Sequence, residues 1–387
     1  MSTHLVANWN YPTSIKVGAG RISELATACK TLNMQAPLLV TDPGLTSLPL
    51  MENILEHCRT AGLRIGVFKD IKSNPTGENI LQGITAYHAG KHDGVIAFGG
   101  GSALDAGKAI ALMIGQDQPL WNFEDIGDNW TRVNIDGMAP VVAVPTTAGT
   151  GSEVGRASVI TDQTQQIKKI IFHPNMLPKI VILDPELTVG LSSHMTAATG
   201  MDALSHNLEA YCSTYYHPMA EGIALEAMRL IKDYLPRAVH NGHDLEARTH
   251  MLVASSMGAT AFQRGLGAMH ALAHPLGALY DAHHGRLNAI LMPFVLSANR
   301  SAIEPKIKRL AAYLQINNGF DGFLDWILNL RRDLGIEHSL IQIGINDQQV
   351  ERIAQMATED AASGGNPILF NTKEYAAILH SAINGNG

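Results

Sequence analysis

Up to residue 183 the chain alternates short β-rich runs with amphipathic stretches, and after Asp184-Pro185 that alternation stops. This switch constrains the fold more than any other feature. Strands separated by helix-length connections pair in parallel through crossovers, so the first part predicts βαβ units and a mostly parallel sheet. Strands are expected at 11–17, 37–41, 64–68, 95–98, 140–144 and 179–183, and helices at 20–32, 50–61, 78–90 and from about Ala103. From about Leu191 onward the period is helical and β-branched runs are few. The 387 residues therefore predict two domains: an α/β domain over 1–187 and an all-α domain over 188–387.

The helical half carries an unusual segment, GLGAMHALAHPLGALYDAHHGRLNAILMP at 265–293. His270 and His274 are spaced i,i+4, so a helix puts them on one face a turn apart. Imidazoles on an apolar face are costly unless hydrogen-bonded or bound to metal. Asp202 and His206 repeat that spacing in GMDALSHNLEAYC at 200–212. One carboxylate and three imidazoles, from two helices and a following loop, would enclose a divalent ion. Such a donor set, with no thiolate, suits Fe(II), Zn(II), Mn(II) or Co(II). Of the pair His283 and His284, His284 is preferred because Gly285 follows and is expected to free the backbone to aim the ring inward. Pro275 is expected to kink or end its helix, and Cys212 reads as core filler.

In the α/β half, the run 95–98 leads into Gly99-Gly100-Gly101-Ser102, and the expected helix carries Asp105 and Lys108. A strand ending in glycines at a helix start suits close backbone approach to a phosphate. It is neither a Walker A loop, since Ala109 follows Lys108, nor G-x-G-x-x-G, since Leu104 sits where the third glycine belongs. A second small-residue turn, from Thr146 to Ser152, follows the run at 140–144, and Asp42 follows the run at 37–41. Ligands of open α/β sheets bind at such strand ends.

Composition narrows the function class. A net charge of −7 without a basic stripe argues against a nucleic-acid partner. Cys29, Cys58 and Cys212 form no C-x-x-C pair and read as reduced thiols. The N-terminal segment MSTHLVANWNYPTSIKVG has no export-signal pattern, and the uncharged runs at 251–263 and 265–280 are too short to span a bilayer. A soluble cytoplasmic protein is expected.

Five motifs in order, AFGGGSALDAGKAIA at 97–111, PTTAGTGSE at 145–153, DPELT at 184–188, GMDALSHNLEAY at 200–211 and HALAHPLGALYDAHHG at 270–285, resemble the iron-containing (group III) alcohol dehydrogenase family. The resemblance covers nearly the whole chain. It implies a dehydroquinate synthase-like architecture: a Rossmann-like dinucleotide-binding α/β domain, an all-helical metal-binding domain, and an active site in the cleft between them. It implies Asp202, His206, His270 and His284 as metal ligands, with His274 near nicotinamide and substrate. For the cofactor it points to Asp42, Asn74, Gly100, Gly101, Ser102, Asp105, Thr146, Thr147, Thr150, Lys168 and Leu187. Two departures stand out: Ala103 where many members carry Pro, and Gly155 where Thr or Ser is common.

The resemblance implies reversible hydride transfer between a small primary alcohol or diol and NAD(H), with Fe2+ or Zn2+, in a homodimer or larger homo-oligomer. NAD is expected over NADP, because the Asp42 carboxylate would bond a ribose 2′-OH and repel a 2′-phosphate. Zinc glycerol dehydrogenase and dehydroquinate synthase-type lyase activities are the alternatives on this architecture.

Overall fold

The computed structural model describes residues 13–165 and 167–385. Tyr11 and Pro12, assigned above to the first strand, lie outside the described residues, as does most of the segment searched for an export signal. The chain forms two compact units, Pro12–Val189 and one built on Gly190–Gly387.

The first unit holds the strands β1 (Ser14–Val17), β2 (Pro37–Val40), β3 (Gly66–Phe68), β4 (Gly94–Gly99), β5 (Val141–Pro145), β6 (Ala157–Asp162), β7 (Ile167–Phe172) and β8 (Ile180–Leu183). Six of them form one sheet in the order β1-β8-β5-β4-β2-β3, with every pairing parallel. Helices α1 (Leu25–Thr31), α2 (Pro43–Thr46), α3 (Pro49–Thr60), α4 (Gly77–Ala89) and α5 (Gly101–Met113) connect or flank them. The inner strands β2, β4, β5 and β8 are buried along their whole length. That explains their uninterrupted apolar runs, since a parallel sheet is covered on both faces. Leu39, Ile96, Phe98, Val144 and Ile182 share one core cluster with Leu25 and Cys29 of α1.

Two details differ from the sequence reading. The stretch expected as one helix over 20–32 opens with a 3-10 turn at Arg21–Glu24 before α1 begins. An antiparallel pair, β6 with β7, stands outside the main sheet, with Ala157 opposite Phe172 and Asp162 opposite Ile167. No strand was expected there, because Asp162, Lys168 and Lys169 break the apolar run that marks the other strands.

The second unit is helical: α6 (Ser193–Cys212), α7 (Pro218–His240), α8 (Leu245–Ala261), α9 (Ala268–Tyr280), α10 (His284–Tyr313), α11 (Gly319–Asp333), α12 (Val350–Glu359) and α13 (Thr372–Asn384). No strand occurs among its described residues. Ser192 starts α6 by accepting the Met195 N–H at 3.2 Å, the usual work of an N-cap serine. From Met201 to Cys212 every residue of α6 is buried, as befits a helix packed on several sides, here by α7, α8 and α10. Pro275 does not end its helix: α9 runs on to Tyr280, where Asp281 takes a left-handed conformation.

Candidate functional site

Four side chains of the helical unit converge. Asp202 and His206 lie one turn apart on α6, His270 lies in the first turn of α9, and His284 opens α10. One ligand atom from each falls within 4.8 Å of all the others, and Asp202, His206 and His270 are buried. The His206 and His270 rings stack with centroids 4.7 Å apart, and His284 Nε2 lies 3.7 Å from Asp202 Oδ1. Gly285 contributes in a different way from the one expected. It sits within helix α10 rather than among the positive-φ glycines, but a Cβ there would come 2.3 Å from the Ala198 carbonyl oxygen and 2.9 Å from Asp202 Cβ. The glycine lets α10 lie against α6, which brings His284 beside Asp202.

The donor atoms fit a cation better than a proton network. Asn288 Nδ2 lies 2.9 Å from Asp202 Oδ1, 3.3 Å from His270 Nε2 and 3.2 Å from His284 Nε2. An amide nitrogen has two N–H bonds and cannot serve three acceptors fully. Its own Oδ1 is buried without a hydrogen-bond partner among the described residues. Three lone pairs around one weak donor make an environment that a divalent ion would satisfy.

Behind the cluster stands Glu209, one turn beyond His206 on α6. Its carboxylate accepts from His270 Nδ1 at 2.6 Å, Gly267 N at 2.8 Å and Met269 N at 2.7 Å. Asn366 Oδ1 accepts from Ala268 N at 3.1 Å. These contacts satisfy the first amides of α9, where Gly267 supplies no side-chain cap. They also direct the His270 Nε2 lone pair toward Asp202 and His284. Burial opposes the charged form of His270, but the Glu209 carboxylate outweighs it and holds the imidazole above its ordinary range. A carboxylate behind a ring nitrogen likewise strengthens the opposite nitrogen as a ligand. The sequence reading missed Glu209 and Asn288, although Glu209 lies inside a quoted motif.

His274, on the same helix, stays outside this set of four. Its Nδ1 lies 2.8 Å from Asp360 Oδ2, and its ring stacks on His284 at 5.6 Å with an interplanar angle of 11°.

In the α/β unit, the strand ends of β2, β4 and β5 bring most of the expected cofactor residues together, because neighbouring parallel strands end on one edge of the sheet. Gly99 has φ +142°, a conformation closed to other residues, and a Cβ there would lie 3.5 Å from Asp42 Oδ2. Gly100 is the N-cap of α5 and packs near Thr147, and a Cβ on Gly101 would meet Thr150 at 2.6 Å. Thr146 donates its N–H to Gly99 O at 3.0 Å. The glycine-rich start of α5 thus lies against the threonine turn, a geometry suited to a pyrophosphate.

Other expected cofactor residues have structural partners. Asp105 accepts from Ser152 Oγ at 2.5 Å and Val159 N at 2.9 Å, and so pins the threonine turn to α5. Ser102 Oγ bonds the Ser73 carbonyl, next to Asn74. Leu187 packs into the core cluster behind the sheet. Lys169 is buried against Asp162 at 3.2 Å and Glu124 at 3.5 Å, whereas Lys168 occupies the opposite face of β7.

Comparison with known proteins agrees with both halves. The family model for iron-containing alcohol dehydrogenase matches residues 12–185, and its C-terminal family model matches 196–383. The chain is 35% identical over 383 residues to 4-hydroxybutyrate dehydrogenase of Cupriavidus necator, covering 96% of this chain and 99% of that protein. It is 36% identical to 1,3-propanediol dehydrogenase of Citrobacter freundii, with 99% of each covered. It is 32% identical to NAD-dependent methanol dehydrogenase of Bacillus methanolicus, covering 98% of this chain and 100% of that protein. Among solved structures, 1,3-propanediol oxidoreductase superposes with a TM-score of 0.93 at 34% identity, covering 98% of this chain and 100% of the other.

These matches define an NAD-dependent oxidoreductase of the alcohol dehydrogenase class. The chain belongs to the iron-containing alcohol dehydrogenase family. No helix among the described residues is long and apolar enough to cross a membrane.

Proposed function

We propose that the protein catalyses reversible hydride transfer between a small primary alcohol or diol and NAD(H), using Fe(II) or Zn(II) held by Asp202, His206, His270 and His284. The observation that carries this reading is the approach of those four donor atoms to within 4.8 Å of one another. The relatives named for methanol, 1,3-propanediol and 4-hydroxybutyrate support a primary alcohol on a short chain. A divalent ion in such a set supplies Lewis acidity toward the alcohol oxygen.

The remaining work belongs to the chain's own groups. Glu209 orients His270 by taking its Nδ1–H. The amides at the α5 N-terminus, with Thr147 and Thr150, hold the cofactor's phosphates, so that positioning does not rely on the substrate. Asp42, beside Gly99, selects a ribose with a free 2′-OH and hence NAD. His274 lies next to the cluster without belonging to it, and it handles the alcohol's proton or shapes the pocket.

The test is a screen of short primary alcohols, diols and aldehydes with NAD and NADP, on protein loaded anaerobically with Fe(II) or Zn(II). Net NADH formation is expected, with NADP the poorer cofactor. His270→Ala should lose both bound metal and turnover. A His270→Ala protein that keeps its metal and its rate would overturn the ligand assignment. Absence of net NADH with every alcohol would favour a lyase that retains its NAD.

A further inference from the structure

Asp360 lies 86 positions beyond His274, directly after α12, yet its carboxylate meets that histidine at 2.8 Å. Its two oxygens do separate jobs. Oδ1 accepts the Ala362 N–H at 2.8 Å and so caps the short turn Ala361–Gly365, while Oδ2 faces His274 Nδ1. The same segment also reaches the start of α9, through Asn366 Oδ1 and Ala268 N. Both side chains of the pair are largely shielded, at 18% and 19% exposure, so the contact is not a screened surface encounter. An ionised carboxylate only accepts, so it selects a ring protonated at Nδ1, which in the neutral imidazole leaves the lone pair on Nε2. Ring packing completes the restraint: the His274 ring runs nearly parallel to His284, at 11°, and edge-on to His270, with centroids 5.6 Å and 6.0 Å away.

We propose that Asp360 is a positioning residue for His274, holding its ring plane and its tautomer so that Nε2 presents a lone pair beside the Asp202, His206, His270 and His284 cluster. This rests on the reading that His274 acts on the alcohol. A carboxylate that sets imidazole orientation and tautomer is a general device, and disturbing it leaves the geometry in place while removing the useful protonation pattern.

The chemistry of asparagine separates this role from simple capping. In Asp360→Asn the amide oxygen still caps Ala362, because Asn and Asp cap equally well. The amide N–H₂ then faces His274 Nδ1, which has to become the acceptor, and the ring proton moves to Nε2.

The experiment compares wild type, Asp360→Asn, His274→Ala and the double variant, each zinc-loaded. It measures metal content, melting temperature, kcat and KM, and the ¹⁵N spectrum of histidine-labelled protein. We expect Asp360→Asn to keep its metal, melting temperature and KM for NAD, and to lose roughly 10²-fold in kcat. No further loss is expected when it is added to His274→Ala. The His274 proton should move from Nδ1 to Nε2 in the spectrum. If His274→Ala is impaired while Asp360→Asn stays within about twofold of wild type, the positioning role is refuted and the dehydrogenase reading stands. If His274→Ala is itself unimpaired, the role of His274 and this proposal fall together. Should no alcohol turn over, the tautomer in the ¹⁵N spectrum still decides whether Asp360 sets it.

Discussion

At the scale of single residues, the centre depends on carboxylates that are not among the four converging donors. Glu209 takes three donors at once and is only 6% exposed. Glu209→Gln keeps the shape but removes the charge and turns an N–H₂ toward groups that also donate. Metal affinity should fall by about 10–100-fold, measured by competition with a chelator. The melting temperature should fall too, because an α9 amide loses its acceptor. Unchanged affinity in this variant would show that Glu209 does not support His270. Asp202, His206 and His270 were legible because imidazoles are rare on apolar helical runs and i,i+4 spacing announces a shared face, although the same spacing also marked His274, which lies outside the set. Glu209 and Asp360 were not, since an acidic residue near a helix end carries no sign of what it faces.

Elements bring their own requirement, which is close approach. Helix α10 starts against α6 with no room for a methyl group at Gly285, where the Ala198 carbonyl oxygen blocks the path. Gly285→Ala forces the two helices apart, and overpacking of this kind costs about 1–3 kcal/mol. Thermal melts should show the destabilisation, and elemental analysis should show reduced metal retention as His284 leaves Asp202. A variant with wild-type melting and full metal content would mean that the contact relaxes freely. Sequence reasoning picked out this glycine but attached the wrong physics to it, because a glycine needed for packing and one needed for its dihedral angles look alike in a sequence. Of the two outcomes expected of Pro275, a kink or an end, the end does not occur. Helix α9 continues past it to Tyr280.

Across the whole molecule, charged groups tie distant helices of the second unit together. Glu221 of α7 meets Arg264, ahead of α9, at 2.7 Å and Lys306 of α10 at 2.9 Å. Burial raises the Glu221 carboxyl, but Lys306 and Arg264 outweigh it and hold the group below its ordinary 4.5. A depressed carboxyl stabilises the fold at pH above its unfolded value and loses that contribution as pH falls through the depressed range. Melting temperature should therefore drop on acidification below about pH 4.5, and Glu221→Gln should flatten that limb while lowering the neutral plateau. An acid limb identical to wild type would sink the assignment.

The alternating runs and the paired i,i+4 residues were enough by themselves to determine a parallel α/β half, a helical half and three of the four converging side chains, Asp202, His206 and His270; His284 needed the family motif beside them. Such features are local, because period and spacing decide which face of an element a side chain occupies. Tertiary structure alone decided which carboxylate meets which imidazole, across 61 positions for Glu209 and His270 and 86 for Asp360 and His274. It also decided that β6 and β7 pair apart from the main sheet. Contacts over such separations arise from how helices and strands pack in three dimensions, and no period in the chain records them.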